Sequence, residues 1–329
     1  MKNVCVKMMM CLLIMAICSG QGIAKEPLQP VTIQLDWVAN VAFAGILVAK
    51  DRGWYQETGI DLTIREAESG LSTIDAVLAG KAQIGVAEGA EIIEARVKGQ
   101  KVRAVAAHFQ KSPYCLISKK SSGITAPDQL AGKRIGISPY DITLMLKIVL
   151  ANQAVAFKDI VLVRVENFQP LVDDEIDVCQ GYMSNELLTL RQQGHKVAYI
   201  PAFKYGYDFY SSVCFVTDAM IQKHPELIRK FLEVSLRGWE EAFKNPAATA
   251  QVVVEKYYPE GSVPHETESL KMLELVARLA EGRKRLGWME EEYWAKGIDI
   301  LHKFKQTDRK IPATDVFTLK FLESVYFKK

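Results

Sequence analysis

The sequence predicts an α/β protein of two lobes, with mostly parallel sheets covered by helices on both faces. Three observations carry that expectation. From Val31 to Ile200, short runs of period-2 alternation take turns with runs of helical spacing, joined by brief turns. At 329 residues and 49% apolar content the chain can bury a large core, and cores of that size usually divide. No low-complexity tether and no short-period repeat separates the halves, so the division must be made by chain crossings.

The elements support this in order. Residues 1–24 read as a secretory signal peptide. Lys2 and Lys7 precede an apolar run from Met8 to Ile17, and Gly22-Ile23-Ala24 offers small residues for cleavage. That run is short of the roughly 20 residues a helix needs to span a bilayer, so export is expected rather than anchoring. Cys18 offers lipidation as the second reading, behind export because Ile17 before it is large. Val31, Ile33 and Leu35 alternate with Thr32, Gln34 and Asp36 as a strand does. Helical spacing follows over residues 41–51, with Asn40 at the N-cap and Gly53 as a left-handed stop. A second strand closes at residues 66–70. Helices are expected over 71–79, with Ser69 or Ser72 near the cap, and over 90–98, with strands at 82–87 and 102–107.

A second set of elements begins after residues 114–118. A short helix and turn is expected at 127–132, strands at 133–138, 160–165, 176–180 and 196–200, and helices at 186–193 and from Pro139-Tyr140-Asp141 to about Asn152. The strand at 213–216 reads as a return of the chain. Thr217 or Asp218 caps the next helix, Pro225 suits the first turn of one reaching Phe243, and further helices follow at 246–258, 267–280 and 290–304. A helical tail with no sheet of its own has to pack on existing surface.

Without the leader, Lys2 and Lys7 leave the 41 basic residues and 39 face 39 acidic ones, a neutral protein. No basic stripe points to nucleic acid. Cys115, Cys179 and Cys214 remain, without metal-ligand spacing, and read as buried small hydrophobes. No HExxH, serine elbow or phosphate loop is present, and neither an enzymatic role nor a cofactor is expected. His108, at a strand end, is the one histidine expected near a cleft, and a lone histidine is more often structural.

Several runs carry a family resemblance: LDWVANVAFAGILVAKDRGWYQETGIDLTI, AGKAQIGVAEG, LAGKRIGI, GYMSNELLTLRQQG and YGYDFYSSVCFVTDAMIQKHPELIRKFLEVSLRGWEEAF. In family order over residues 31–260, they resemble the thiamine-pyrimidine-precursor branch of the periplasmic solute-binding proteins of ABC importers. The resemblance implies a type II periplasmic binding protein fold, two α/β lobes joined by two crossing hinge strands that close on a ligand. Residues 25–114 and 213–329 would form one lobe with the helical C-terminal part, and residues 115–212 the other. Residues 114–118 and 213–217 would be the hinge strands, with Cys115 and Cys214 as possible neighbours, either bonded as a staple or reduced and packed. A flat heteroaromatic ligand, an inner-membrane ABC permease as partner and a monomeric receptor are implied. Alternatives are a ligand-sensing partner of a membrane signalling protein and a thiamine-pyrimidine synthase. The synthases of this fold use a cysteine-rich motif that this chain lacks.

The candidate site residues follow from strand ends that precede helices, where ligands bind in open α/β sheets. Trp37 would stack on a flat ring, with Asp36 and Asn40 offering an acceptor and an amide to ring nitrogens and an exocyclic amine. Their alternative roles are a core tryptophan, a strand-end turn and a helix cap. The family pattern has proline and histidine where this chain has Ala39 and Phe43, which gives a more apolar wall. Riboflavin-binding relatives carry a pair similar to Phe43-Ala44. Opposite, the resemblance marks Asn185 and Glu186 as ligand-facing, with Tyr182 before them. Glu186 and Glu88 are also the acidic residues a first helical turn favours. Asp208 and Tyr210, in the aromatic run before the returning strand, complete the set.

Overall fold

The computed structural model describes residues 27–68, 70–137 and 143–327. The expected leader with Cys18, the Ser69 cap and the Pro139-Tyr140-Asp141 helix start lie outside them. Among the described residues, ten strands form two five-stranded sheets. They are β1 (Gln29–Gln34), β2 (Ile60–Arg65), β3 (Ile84–Ala87), β4 (Val102–Phe109), β5 (Tyr114–Lys119), β6 (Arg134–Ile137), β7 (Val161–Arg164), β8 (Val178–Tyr182), β9 (Val197–Pro201) and β10 (Ser211–Thr217). The first sheet runs β2-β1-β3-β10-β4 and the second β7-β6-β8-β5-β9.

Both sheets are mostly parallel, and the exceptions are the two strands that follow the crossings. β10 runs antiparallel to β3 and β4, and β5 antiparallel to β8 and β9. A chain that leaves one sheet and enters the other arrives from the shared edge, so its strand runs against those reached through helices. The crossings lie side by side: the Ser112 amide donates to Phe209 O at 3.1 Å, and Met183 N to Pro113 O at 3.0 Å.

That geometry corrects one expectation. Cys115 pairs in register with Gly181 and Pro201 inside the second sheet, whereas Cys214 sits opposite Val86 and Ala106 inside the first. They lie in different sheets, and among the described residues Cys115, Cys179 and Cys214 are buried and form no disulfide. The chain passes between the sheets in the loops before β5 and β10, not at the strands' centres. Burial raises the thiols of Cys115 and Cys214, which keeps them protonated and unreactive. Iodoacetamide without reductant should therefore add nothing to the folded leaderless protein and three groups to the unfolded one, counted by intact mass. A maximum of one would mean that a disulfide forms.

Local signals act as expected at the element ends. The Asn40 side chain accepts from Ala42 N at 3.0 Å and starts the helical turn that continues as the helix Ala44–Asp51, and Gly53 ends it at φ +71°. Ser72 caps the helix Thr73–Leu78 through Asp75 N, and Thr217 caps Asp218–Lys223 through Met220 N. The C-terminal part does pack on existing surface. Main-chain bonds from Ala104 N to Val316 O, Thr318 N to Ala104 O and Ala107 N to Gly287 O lay it along β4, closing a sheet edge that would otherwise be open. Its helix Val263–Ala277 also reaches the second lobe, where His265 Nδ1 meets Gln192 Oε1 at 2.9 Å. Among the described residues, no helix is long and apolar enough to cross a membrane.

Candidate ligand-binding site

Three side chains meet where the lobes face each other: Glu88 from the first lobe, Tyr182 from the second and Ser211 from the returning crossing. Glu88 follows β3 and stands at the N-cap of the helix Gly89–Val97, but its side chain makes no cap bond. Its Oε1 instead accepts from the Tyr182 hydroxyl at 2.9 Å and the Ser211 hydroxyl at 2.6 Å. The backbone is shaped for this approach. Gly89 N donates to Tyr210 O at 3.0 Å, and a Cβ on Gly89 would lie 2.8 Å from that oxygen. Ser212, next to Ser211, holds φ at +48°, an unfavoured angle for serine that persists only where the surroundings enforce it.

The electrostatics are one-sided. Burial pushes the Glu88 carboxyl up to about 8; the Ser211 bond opposes the rise, while Asp36 and Glu91 add to it. Asp36, half-buried past the end of β1, is pushed up to about 6 by burial, its own backbone amide opposing. Tyr182 is raised by burial and then by the charge of Glu88, with Asp36 also acting on it across the lobes. Glu88 is thus a neutral acid at pH 7, with Oε2 buried and without a hydrogen-bond partner among the described residues.

The other expected residues divide by what they already hold. Trp37 keeps 47% of its surface exposed, next to Asp36. Asn40 is half-buried and its oxygen serves the cap; Phe43 is buried in the core at the start of the same helix. Glu186 folds back on its own loop, accepting from Tyr182 N at 2.7 Å and Asn185 Nδ2 at 2.9 Å, and Asn185 is exposed. Asp208 and Tyr210 turn to the C-terminal helix Glu291–Lys303. Asp208 is gripped by Lys111 and the Tyr293 hydroxyl at Oδ1 and by Lys296 at Oδ2, each at 2.6 Å. Burial alone would raise that carboxyl, but these bonds hold it below its ordinary value. The Tyr210 hydroxyl accepts from Glu290 N, and its ring packs on Tyr293 and Trp294. These two therefore tie the crossings to the tail. His108 is buried beside Trp239 and Ser212, and burial pushes it down to about 4, a neutral core histidine.

Residues outside the expected set also shape the site. Glu66 accepts from Ala39 N at 2.7 Å and Glu266 from Val41 N at 3.2 Å, so two carboxylates hold the loop that carries Trp37. Tyr114 packs edge-on to Tyr182 and Tyr207 at 4.4 and 6.1 Å between ring centres, forming an aromatic wall behind the Tyr182 bond. Among the described residues, no cluster of His, Cys, Asp and Glu could hold a metal ion.

The NMT1/THI5 like family model matches residues 40–249, which span both lobes and the return strand. The chain belongs to this family. Among NMT1/THI5-like relatives, it is 23% identical to the riboflavin-binding protein RibY of Chloroflexus aurantiacus, over 91% of this chain and 88% of that one. It is 22% identical to the formylaminopyrimidine-binding protein of Halalkalibacterium halodurans, over 95% and 97%. A 4-amino-5-hydroxymethyl-2-methylpyrimidine phosphate synthase of Legionella pneumophila is 26% identical, over 63% and 67%. Among solved structures, the periplasmic sulfonate-binding protein SsuA of Methylobacillus flagellatus superposes with a TM-score of 0.68 at 16% identity, covering 92% and 95%, and shares the two-lobed periplasmic binding protein fold.

Proposed function

We propose that this protein is an extracytoplasmic solute-binding receptor of an ABC importer that captures a flat N-heteroaromatic molecule between its lobes. The observation that carries the reading is the meeting of Glu88 and Tyr182 across the lobes, beside Asp36 and the half-exposed Trp37 at strand ends. The relatives named for binding riboflavin and formylaminopyrimidine align over nearly their whole length, whereas the synthase aligns over about two thirds; this supports a binding role over an enzymatic one. Stacking on Trp37 supplies most of the affinity, and the acids and amides around it fix orientation. Closure is a shift between open and closed populations about the paired crossings. The receptor works as a monomer in the periplasm and hands its closed form to an inner-membrane permease.

A thermal-shift panel of thiamine, its pyrimidine precursors, riboflavin and purines on the leaderless protein tests this. At least one compound should raise the melting temperature, and Trp37→Ala should weaken its binding about ten-fold or more. Equal binding by the variant would remove Trp37 from the site. A silent panel would remove the heteroaromatic reading.

A further inference from the structure

We propose that the cleft selects heteroaromatic ligands that carry a positive charge and rejects anionic ones, with Glu88 as the residue that reads the charge through its unpartnered Oε2. The inference rests on the heteroaromatic reading above and adds the ligand's charge class to it.

Two independent features point the same way. The first is what surrounds Glu88. From β10 it meets the Ser211 hydroxyl and from β8 the Tyr182 hydroxyl, and the charges of Asp36, past the end of β1, and of Glu91, on its own helix and exposed, act on it. The charges named as acting on Glu88 are those of the carboxylates Asp36 and Glu91, and the lysines nearest the crossings, Lys111 and Lys296, are paired with Asp208. The second is the orphaned oxygen. Glu88 is 8% exposed and spends Oε1 on both hydroxyl donors, which leaves Oε2 buried with nothing to bind. As the acid, Oε2 holds a buried O–H without an acceptor, and as the carboxylate it lacks a donor; either is costly, and a ligand cation removes the cost by donating to the ionised form.

The chemistry then selects among ligands. An anion would meet the negative field of Asp36 and Glu91. A neutral ring gains one ordinary hydrogen bond. A ligand ammonium or protonated ring nitrogen instead stabilises the ionised form of Glu88, and the O–H bond at Glu88 breaks with its proton leaving to solvent. The product is a carboxylate and ligand cation held by a charge-assisted bond, so charge balances with one proton released per ligand. The sulfonate-binding structural relative has the same fold, so the lining side chains, not the architecture, would set this preference.

Three pyrimidines of nearly equal shape test the inference: 4-amino-2-methylpyrimidine bearing a 5-aminomethyl, a 5-hydroxymethyl or a 5-carboxylate group. By titration calorimetry at pH 7, the aminomethyl compound should bind about ten- to a hundred-fold more tightly than the hydroxymethyl compound, and the carboxylate should not bind. Repeating the aminomethyl titration in buffers of different ionisation enthalpy should show about one proton released. In Glu88→Gln, which mimics the neutral acid, the preference for the aminomethyl compound and the proton release should both vanish. Equal binding of the three, tightest binding of the carboxylate, or unchanged proton release in Glu88→Gln would overturn the charge selection and leave the heteroaromatic reading in place. Failure of all three pyrimidines, with riboflavin bound, would overturn the charge selection alone; failure of riboflavin as well would overturn both.

Discussion

Replacing Glu88 by Gln should flatten the dependence of stability on pH between about 4.5 and about 8. The direction follows from where the proton sits. In the unfolded chain Glu88 ionises near its ordinary value of 4.5, whereas in the folded protein burial holds the proton until about 8. Between these values the folded state binds more protons than the unfolded one, so stability falls as pH rises through the window. The contribution is fully present below about 4.5 and is lost by the time pH passes about 8. At ~1.4 kcal/mol per pH unit, the loss for this one group is on the order of 5 kcal/mol. Glutamine keeps the acceptor that Tyr182 and Ser211 use and presents an amide where the acid presents Oε2, so the fold tolerates it. Urea denaturation of the ligand-free protein at pH 5 and pH 8 measures this. The variant should match the parent at pH 5 and exceed it at pH 8. Asp36, raised to about 6, leaves a smaller slope at lower pH in both proteins. Parallel curves across the whole range would mean that Glu88 is already ionised when the cleft is empty.

Glu88 also marks the limit of what the sequence conveys about the site. Its place after a strand and before a helix is legible, because period 2 gives way to period 3.6 around it. Its partners are not: Tyr182 and Ser211 lie 94 and 123 residues away, and only the crossing topology brings them to one carboxylate. The same holds for Glu266, which holds Val41 N from 225 residues away. Asp208 and Tyr210 have the right chemistry and stand near a crossing, yet the C-terminal helix takes them, since Lys296, Tyr293 and the amide of Glu290 are nearer competitors for their polar atoms. Fold class was easier to read, because local alternation and caps such as Asn40, Ser72 and Thr217 carry it residue by residue. Cys115 and Cys214 are buried small groups as expected, but their separation was not legible: each sits in a strand next to a crossing, and only sheet order puts them in different lobes.

Gly238→Ala should be among the most destabilising single changes to the first lobe, although alanine is the better helix former. Gly238 lies in the long helix Pro225–Lys244, where the swap alone would stabilise by up to about 1 kcal/mol. The added methyl has nowhere to go. A Cβ at 238 would stand 1.9 Å from the carbonyl oxygen of Gly45 and 3.0 Å from the Ala49 Cβ, and a Cβ at 45 would strike the Trp239 ring at 2.2 Å. The helices Pro225–Lys244 and Ala44–Asp51 therefore cross glycine against glycine. Backbone oxygen cannot rotate aside as a long side chain can, so the helices must separate. Separation would strain the packing of Trp239 against Phe109 and Phe243 and the Tyr55 to Ser235 bond of 2.7 Å. Overpacking of this kind costs about 3 kcal/mol, which exceeds the propensity gain. The expected result is a net loss of about 2 kcal/mol, seen as a melting midpoint lower by several degrees. The effect should reach the site, because Ala44–Asp51 begins at the turn capped by Asn40, three residues after Trp37, and a displaced helix carries that loop with it. Gly238→Ala should thus weaken the compound that Trp37 binds. A midpoint equal to or above the parent's would show that the helices absorb a methyl there and that close glycine contact does not set their spacing.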